Sequence, residues 1–335
     1  MRRLPAEWEH TDAILIAWPH ADTDWAYMLD DAERCYVDMA AAIVPFAPLI
    51  VVAPDVEVPR RRLSRLPQER IRYFEIPTND TWTRDYGPIT VIDDDRPLAL
   101  DFQFNGWGLK FAADLDNLVT QKAHELGAFC PRRENHLGIT LEGGSIETDG
   151  RGTLLTTSEC LLSPNRNGDM SREEFEELFA DVFGIEKVNW LDHGFLLGDD
   201  TDSHIDTLAR IAPDNNLLYV TTDDKDYWHY EELTLMEEQL HTFTDIDGRP
   251  YRMLPLPLPN PIYDENGERL PATYANYLVV NGGVVVPTYG QPDNDILAVA
   301  TIKKAFPHHE IRTVDCLPLI RQHGSLHCST MQIIL

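Results

Sequence analysis

Four short stretches of this chain concentrate residue types that can do chemistry. Near the carboxyl terminus, His323-Gly324-Ser325-Leu326-His327-Cys328-Ser329-Thr330 sets a cysteine among small and polar residues, where a thiol is less apt to be inert core filling. If Leu326–Gln332 is extended, side chains alternate and His327 points away from Cys328, so a base for that thiol has to come from elsewhere. Gly198–Thr207 offers one. Read as an extended segment, it puts His204 and Asp206 on one face and turns Ile205 toward the core. The plainer alternative is an acidic loop leading into a strand, with His204 hydrogen-bonded at its start. A calcium loop is discounted, because the D-x-D-x-D-G pattern with its terminal glutamate is missing.

Two further stretches supply ligand-holding groups. Asn79–Pro88 packs aromatic, acidic and turn residues together; Trp82 offers a π-face to a cation and Asp85 a charged acceptor, although Arg84 beside Asp85 also suits a structural ion pair. In Leu141–Glu147, Glu142 stands directly before Gly143-Gly144, where bare backbone lets a ligand come close. Taken alone this is weak, since glutamate before a turn is common.

The elements that must position these groups alternate along the chain. Apolar runs predict buried strands at Ala13–Trp18, Pro48–Ala53, Ile71–Ile76, Thr153–Thr157, Leu217–Thr222, Tyr277–Val286 and Glu310–Val314. Helical patterns fall between them at Trp25–Ile43, Asp114–Leu126, Arg172–Phe183, Tyr230–Leu240 and Asn294–Phe306. Ser171 and Glu174 form a capping-box signature for the third helix. Five helices separated by strand pairs suggest a repeated β-rich unit with one helix each, hence a radial or solenoid architecture. A doubly wound sheet is the competitor, but no G-x-G-x-x-G or Walker sequence occurs.

Composition narrows the class. With 335 residues, 43% hydrophobic and 25% charged, the chain has the makings of a folded globular protein. Fifty-six acidic against 28 basic residues give a net charge of -28, which repels nucleic acid and anionic lipid and favours cationic small molecules, as well as solubility in its own right. The amino terminus carries no apolar run behind Arg2-Arg3, so neither a signal peptide nor a membrane span is expected and the cytoplasm is the expected location. Five cysteines (Cys35, Cys130, Cys160, Cys316 and Cys328) without C-x-x-C spacing predict reduced thiols, with neither a disulfide framework nor a structural zinc site.

Taken together and in order, the stretches resemble the agmatine deiminase branch of the Porphyromonas-type peptidylarginine deiminase family. The motifs are N-D-T-W-T-R-D-Y-G-P at Asn79–Pro88, F-N-G-W-G at Phe104–Gly108, L-E-G-G-S-I-E at Leu141–Glu147, the run from Gly152 to Asn165-Arg166-Asn167, S-H-I-D at Ser203–Asp206 and the terminal His327-Cys328. Ser203 and Thr207 stand where the family pattern has Gly and Asn, and Gly-Ser-Leu-His-Cys is less glycine-rich than usual. The resemblance implies a pentein fold: a five-bladed α/β propeller of ββαβ repeats around a polar tunnel, with residues 1–335 as one catalytic domain. It implies Cys328 as nucleophile, His204 as general acid and base, Glu142 as its carboxylate partner, and Asp85 and Asp206 as holders of a guanidinium. Trp82 would line the substrate channel.

What that resemblance implies chemically is removal of ammonia from a small cationic guanidino compound, with agmatine the expected substrate and N-carbamoylputrescine, a step toward putrescine and other polyamines, the product. Two carboxylates offset the guanidinium charge and fix its plane, the thiolate attacks its carbon, and His204 moves the protons; no metal or organic cofactor is required. Asp200 is assigned to the distal ammonium. Peptidyl- or free-arginine deiminase and amidinotransferase are the alternatives that would use the same groups, and assembly into a homo-oligomer is left open.

Overall fold

The computed structural model describes residues 2–129 and 132–334, so Cys130 lies outside the described residues. Their strands form five separate sheets, two of four strands and three of three. One plan recurs in each: an antiparallel strand pair, then a third strand parallel to the second.

A helix bridges the parallel pair every time, because two parallel neighbours cannot be joined by a tight turn. Arg172–Phe183 lies between Thr153–Thr157 and Lys187–Leu191, Tyr230–Leu240 between Asn216–Thr221 and Arg252–Pro257, and Pro292–Ala305 between Gly283–Thr288 and Glu310–Asp315. Val119–Glu125 plays that part between Arg96–Gln103 and Arg133–Thr140. In the remaining unit Leu29–Ile43 bridges Ala13–Ala17 and Leu49–Ala53, and the antiparallel partner comes from the far end of the chain: Met331–Ile333 pairs with Ala13–Ala17. The fifth unit is therefore built from both ends of the sequence.

Burial explains these choices. Ala13–Ala17 and Leu49–Ala53 are buried at every position, as strands covered on both faces must be. The helices present apolar stripes at spacings of three and four, such as Phe175, Phe179, Val182 and Phe183 on one and Leu233, Met236 and Leu240 on another. The expected capping box is present: Ser171 Oγ accepts from Glu174 N at 3.3 Å, and Glu174 Oε2 accepts from Ser171 N at 2.8 Å. Among the described residues no helix is long and apolar enough to cross a membrane.

Several local expectations are corrected. The apolar run Tyr277–Val286 is a hairpin, Leu278–Val280 against Gly283–Thr288, because Asn281 and Gly282 both take positive φ (42° and 83°) and turn the chain in two residues. Leu326–Gln332 is not extended throughout: turns occupy residues 326–329 and the strand begins at Met331. The segment before Ala209 is not extended either, since Ile205–Leu208 forms one helical turn with His204 just ahead of it. Trp25–Ile43 opens with a short 3-10 turn, Ala26–Met28, before the α-helix proper, and Asp114–Leu126 likewise narrows to Asp116–Leu118 and Val119–Glu125.

Candidate active site

Pairing of Met331–Ile333 with the first sheet fixes the residues just before it. Cys328 O accepts from Arg84 N at 3.1 Å, and Cys328 N donates to Asn276 Oδ1 at 3.2 Å. Asn276 Nδ2 in turn reaches Cys328 Sγ at 3.2 Å, so one amide holds both the backbone and the sulfur of this residue. The sulfur lies 3.7 Å from Asp206 Oδ2.

Asp85 sits in the helical turn Thr83–Tyr86, with Oδ1 accepting from Gly144 N at 3.0 Å and Oδ2 from Trp107 Nε1 at 2.9 Å. To present that indole, Trp107 adopts φ 55°, a left-handed conformation that bulky residues avoid. His204 lies between two carboxylates, Nδ1 at 3.6 Å from Asp85 Oδ1 and Nε2 at 3.6 Å from Glu142 Oε2. Glu142 is braced from behind by Arg166, whose Nε lies 3.0 and 2.9 Å from its two oxygens, while Arg166 Nη1 reaches Asp202 at 2.6 Å.

One point ties these groups together. A Cβ on Gly144 would stand 2.6 Å from His204 Nδ1, 2.8 Å from Asp85 Oδ1 and 3.2 Å from Asp206 Oδ2. Three catalytic candidates thus converge on a space that only a glycine leaves clear. Asp206 Oδ1 is buried and has no hydrogen-bond partner among the described residues, and both nitrogens of His204 meet their carboxylates only at ion-pair distance.

Charge follows from this packing. Burial pushes Asp85 up to about 6, against the pull of neighbouring His204. For Glu142, burial works against ionisation, but His204 and Arg166 outweigh it and hold the carboxyl below its usual range. Burial also opposes ionisation of Asp206, and His327 overcomes it to hold that carboxyl low. Burial opposes charging His204, yet Asp85, Cys160 and Glu142 overcome it and lift the imidazole well above its ordinary value. Burial, with Asp206 and Asp85 adding to it, pushes the Cys328 thiol well up. Unless a cation is brought beside it, the thiol keeps its proton.

The cavity here, about 160 Å³, is lined by Cys328, Asp85, Trp107 and Asn276 among others. Trp82 lines it, with Nε1 donating to Asp80 Oδ2 at 3.0 Å, and Gly324 lets the backbone lie against the indole: a Cβ there would come within 2.2 Å of the ring. Asp200 lines the same cavity, with Oδ2 3.6 Å from His323 Nδ1 and its carbonyl accepting from Lys110 at 2.7 Å. Of the expected residues, Cys328, Asp85, Trp82 and Asp200 border the cavity, and His204, Glu142 and Asp206 are fully buried behind it. One donor set among the described residues could ligate a metal: Glu142, Cys160 and His204 offer atoms within 4.8 Å of one another. The guanidinium of Arg166 already neutralises that carboxylate, so a second cation there would meet like charge.

Sequence reasoning missed several contributors. Trp107 and Arg166 fall inside the family motifs, yet nothing local in the sequence says where an indole or a guanidinium will point. Asn276 had no signal, sitting in what reads as the lead-in to a strand. His327 was turned away from the site by the extended reading; in the turn that forms instead, its Nδ1 meets Asp206 Oδ2 at 2.7 Å. His204 and Asp206 do converge, through the helical turn rather than through strand alternation. Gly144→Ala should therefore lower kcat/KM about a hundredfold, since a shift of order 1 Å at a reacting centre has that effect. Steady-state kinetics on the purified variant check this, and parental turnover would contradict it.

The chain has a set of full-length relatives. A structure from Porphyromonas gingivalis, assigned provisionally as an arginine deiminase, is 48% identical and superimposes with a TM-score of 0.94, covering 99% of this chain and 98% of its own. The agmatine deiminase of C. jejuni, solved as a cysteine-to-serine variant with substrate bound, is 35% identical with a TM-score of 0.93, covering 100% of this chain and 97% of that one. Agmatine deiminase of Pseudomonas syringae pv. tomato is 33% identical across 98% of this chain and 94% of its own length. The two solved structures share the α/β fold from end to end, and the family model for the Porphyromonas-type deiminases matches residues 3–333. The chain belongs to the Porphyromonas-type peptidyl-arginine deiminase family.

Proposed function

We propose that this protein hydrolyses agmatine to N-carbamoylputrescine and ammonia through a covalent amidino-cysteine. One observation carries the choice of substrate: among the described residues, the cavity leading to Cys328 is lined by Asp24, Asp80, Asp85, Asp199 and Asp200, and by neither lysine nor arginine. A guanidinium at one end and an ammonium at the other suit such walls, whereas the α-carboxylate of arginine would need a cation to meet it. The name of the P. gingivalis structure favours arginine as the second reading, and a lining with neither lysine nor arginine weighs against it.

In this reading Asp85 and Asp206 grip the guanidinium and bring its carbon to Cys328. The cation stabilises the thiolate, whose proton leaves to solvent; sulfur attacks the carbon, and imidazolium His204 gives a proton to the departing nitrogen as ammonia forms. Neutral His204 then takes a proton from water and hydroxide adds to the amidino carbon; the C–S bond breaks as the hydroxyl proton passes to solvent and C=O forms, and the ureido product leaves with the thiolate restored. Glu142, braced by Arg166, orients and charges the imidazole. The antiparallel-parallel plan repeated in five sheets supports a five-bladed propeller with the whole chain as one catalytic unit. A small cationic substrate and a site built on a thiol fit the reducing cytoplasm.

Incubation with agmatine, arginine and an arginyl peptide, with products identified by mass, tests the reading. N-carbamoylputrescine is expected to dominate, and Cys328→Ala to release no ammonia; citrulline as the main product would overturn the substrate. Asp200→Asn should lower kcat/KM for agmatine about tenfold, the effect of about 1.4 kcal/mol of lost ion pairing, and leave arginine unaffected. An unchanged ratio between the two substrates removes that assignment. Because burial pushes Asp85 up to about 6, it is protonated below that value and cannot offset a guanidinium, so kcat/KM should fall as pH drops through about 6. A profile flat from about pH 7 to about pH 5 would exclude Asp85 as the holder.

A further inference from the structure

His327 has no part in the chemistry above, yet its buried ring faces a carboxylate at each nitrogen. Nδ1 lies 2.7 Å from Asp206 Oδ2, and Nε2 lies 2.6 Å from Glu7 Oε1. Two carboxylates facing two ring nitrogens require two N–H donors, which the imidazolium has and either neutral tautomer lacks. Glu7 comes from the amino-terminal segment, more than three hundred residues away in sequence. Its own position is fixed by Arg210 Nη2 at 2.5 Å from Oε2 and Arg84 Nη1 at 3.2 Å from Oε1. Arg210 is anchored in turn on Glu147 Oε2 at 2.6 Å and on the carbonyls of Ala275 and Tyr277.

The consequence falls on Asp206. Its Oδ2 is taken by His327, with Asn276 Nδ2 at 3.3 Å, while Oδ1 is buried without a hydrogen-bond partner among the described residues. Holding one oxygen fixes the rotation of the carboxylate and so decides where the other points. We propose that Glu7 and His327 are positioning residues: Glu7 orients the His327 ring, and His327 holds Asp206 so that its free oxygen is presented to the guanidinium. This rests on the reading of Asp206 as a guanidinium holder. It makes the amino-terminal segment a working part of the site rather than a strap on the outside of the fold.

Four substitutions and one double variant test it, on whichever guanidino compound the parent chain turns over, so that a wrong substrate and a wrong relay give different results. His327→Leu removes both donors and should lower kcat/KM at least about tenfold, mainly by raising KM; His327→Asn, whose amide can replace the Nδ1 donor, should recover most of that loss. Glu7→Gln should act in the same direction as His327→Leu. Added to His327→Leu it should cause no further loss, because a group that acts only through another is silent once that other is gone. Glu9→Gln breaks the neighbouring pair with Arg3 in the same segment and should leave kinetics within about twofold of the parent. Equal loss in His327→Asn and His327→Leu, additive loss in the double variant, or a Glu9→Gln effect equal to that of Glu7→Gln would each overturn the relay. If Glu7→Gln does not fold, the comparison of Asn with Leu at position 327 decides; if His327→Leu does not fold, the KM and kcat of Glu7→Gln decide, and a loss confined to kcat refutes the proposal.

Discussion

Three residues of backbone pairing near the end of the chain are what the rest of the molecule depends on. Met331–Ile333 pairs antiparallel with Ala13–Ala17, and this completes a unit whose other strands come from the first quarter of the sequence. It also sets Cys328 O on Arg84 N, so that Cys328 is fixed beside the turn that carries Asp85. A thiol on a free carboxyl terminus would sample many positions. Tied into a sheet, and held through Asn276 at both its amide and its sulfur, it has one. The entropy of ordering this segment is offset by strand pairing.

The second constraint is charge without water. Asp85, Glu142 and Asp206 are all buried, and buried carboxylates stay ionised only where donors or cations face them. The three meet this requirement differently. Glu142 has Arg166 and Asp206 has His327, whereas for Asp85 burial outweighs the pull of His204 and of the indole N–H, which leaves it with the highest affinity for a proton of the three. Charge on the first two is thus stabilised in advance by the protein, whereas burial holds Asp85 and the thiol of Cys328 toward their protonated forms.

Glycine has a particular place in this arrangement. Gly144 occupies the space among His204, Asp85 and Asp206, and its amide also orients Asp85, so a position with no side chain does two things that any side chain would obstruct. Gly324 does something similar at the cavity wall, where bare backbone lies against the Trp82 ring. The positive φ of Trp107 is the converse, strain accepted so that an indole N–H reaches a carboxylate.

By itself the sequence was enough to locate the candidate chemistry and the frame. Residue type and motif marked Cys328, His204, Glu142, Asp85 and Asp206, apolar periodicity located five helices, and Ser171 with Glu174 announced a cap that forms as written. These are local properties, carried by composition and by repeats of two or 3.6 residues. The tertiary structure decided how those groups face one another. It turned Ile205–Leu208 from an extended segment into a helical turn, supplied Asn276 and Trp107, and linked Glu7 to Asp206 through His327. Such contacts join residues far apart in the chain, from one repeat to another or from one terminus to the other, and depend on how sheets pack and where a chain end is pinned. No local propensity encodes that.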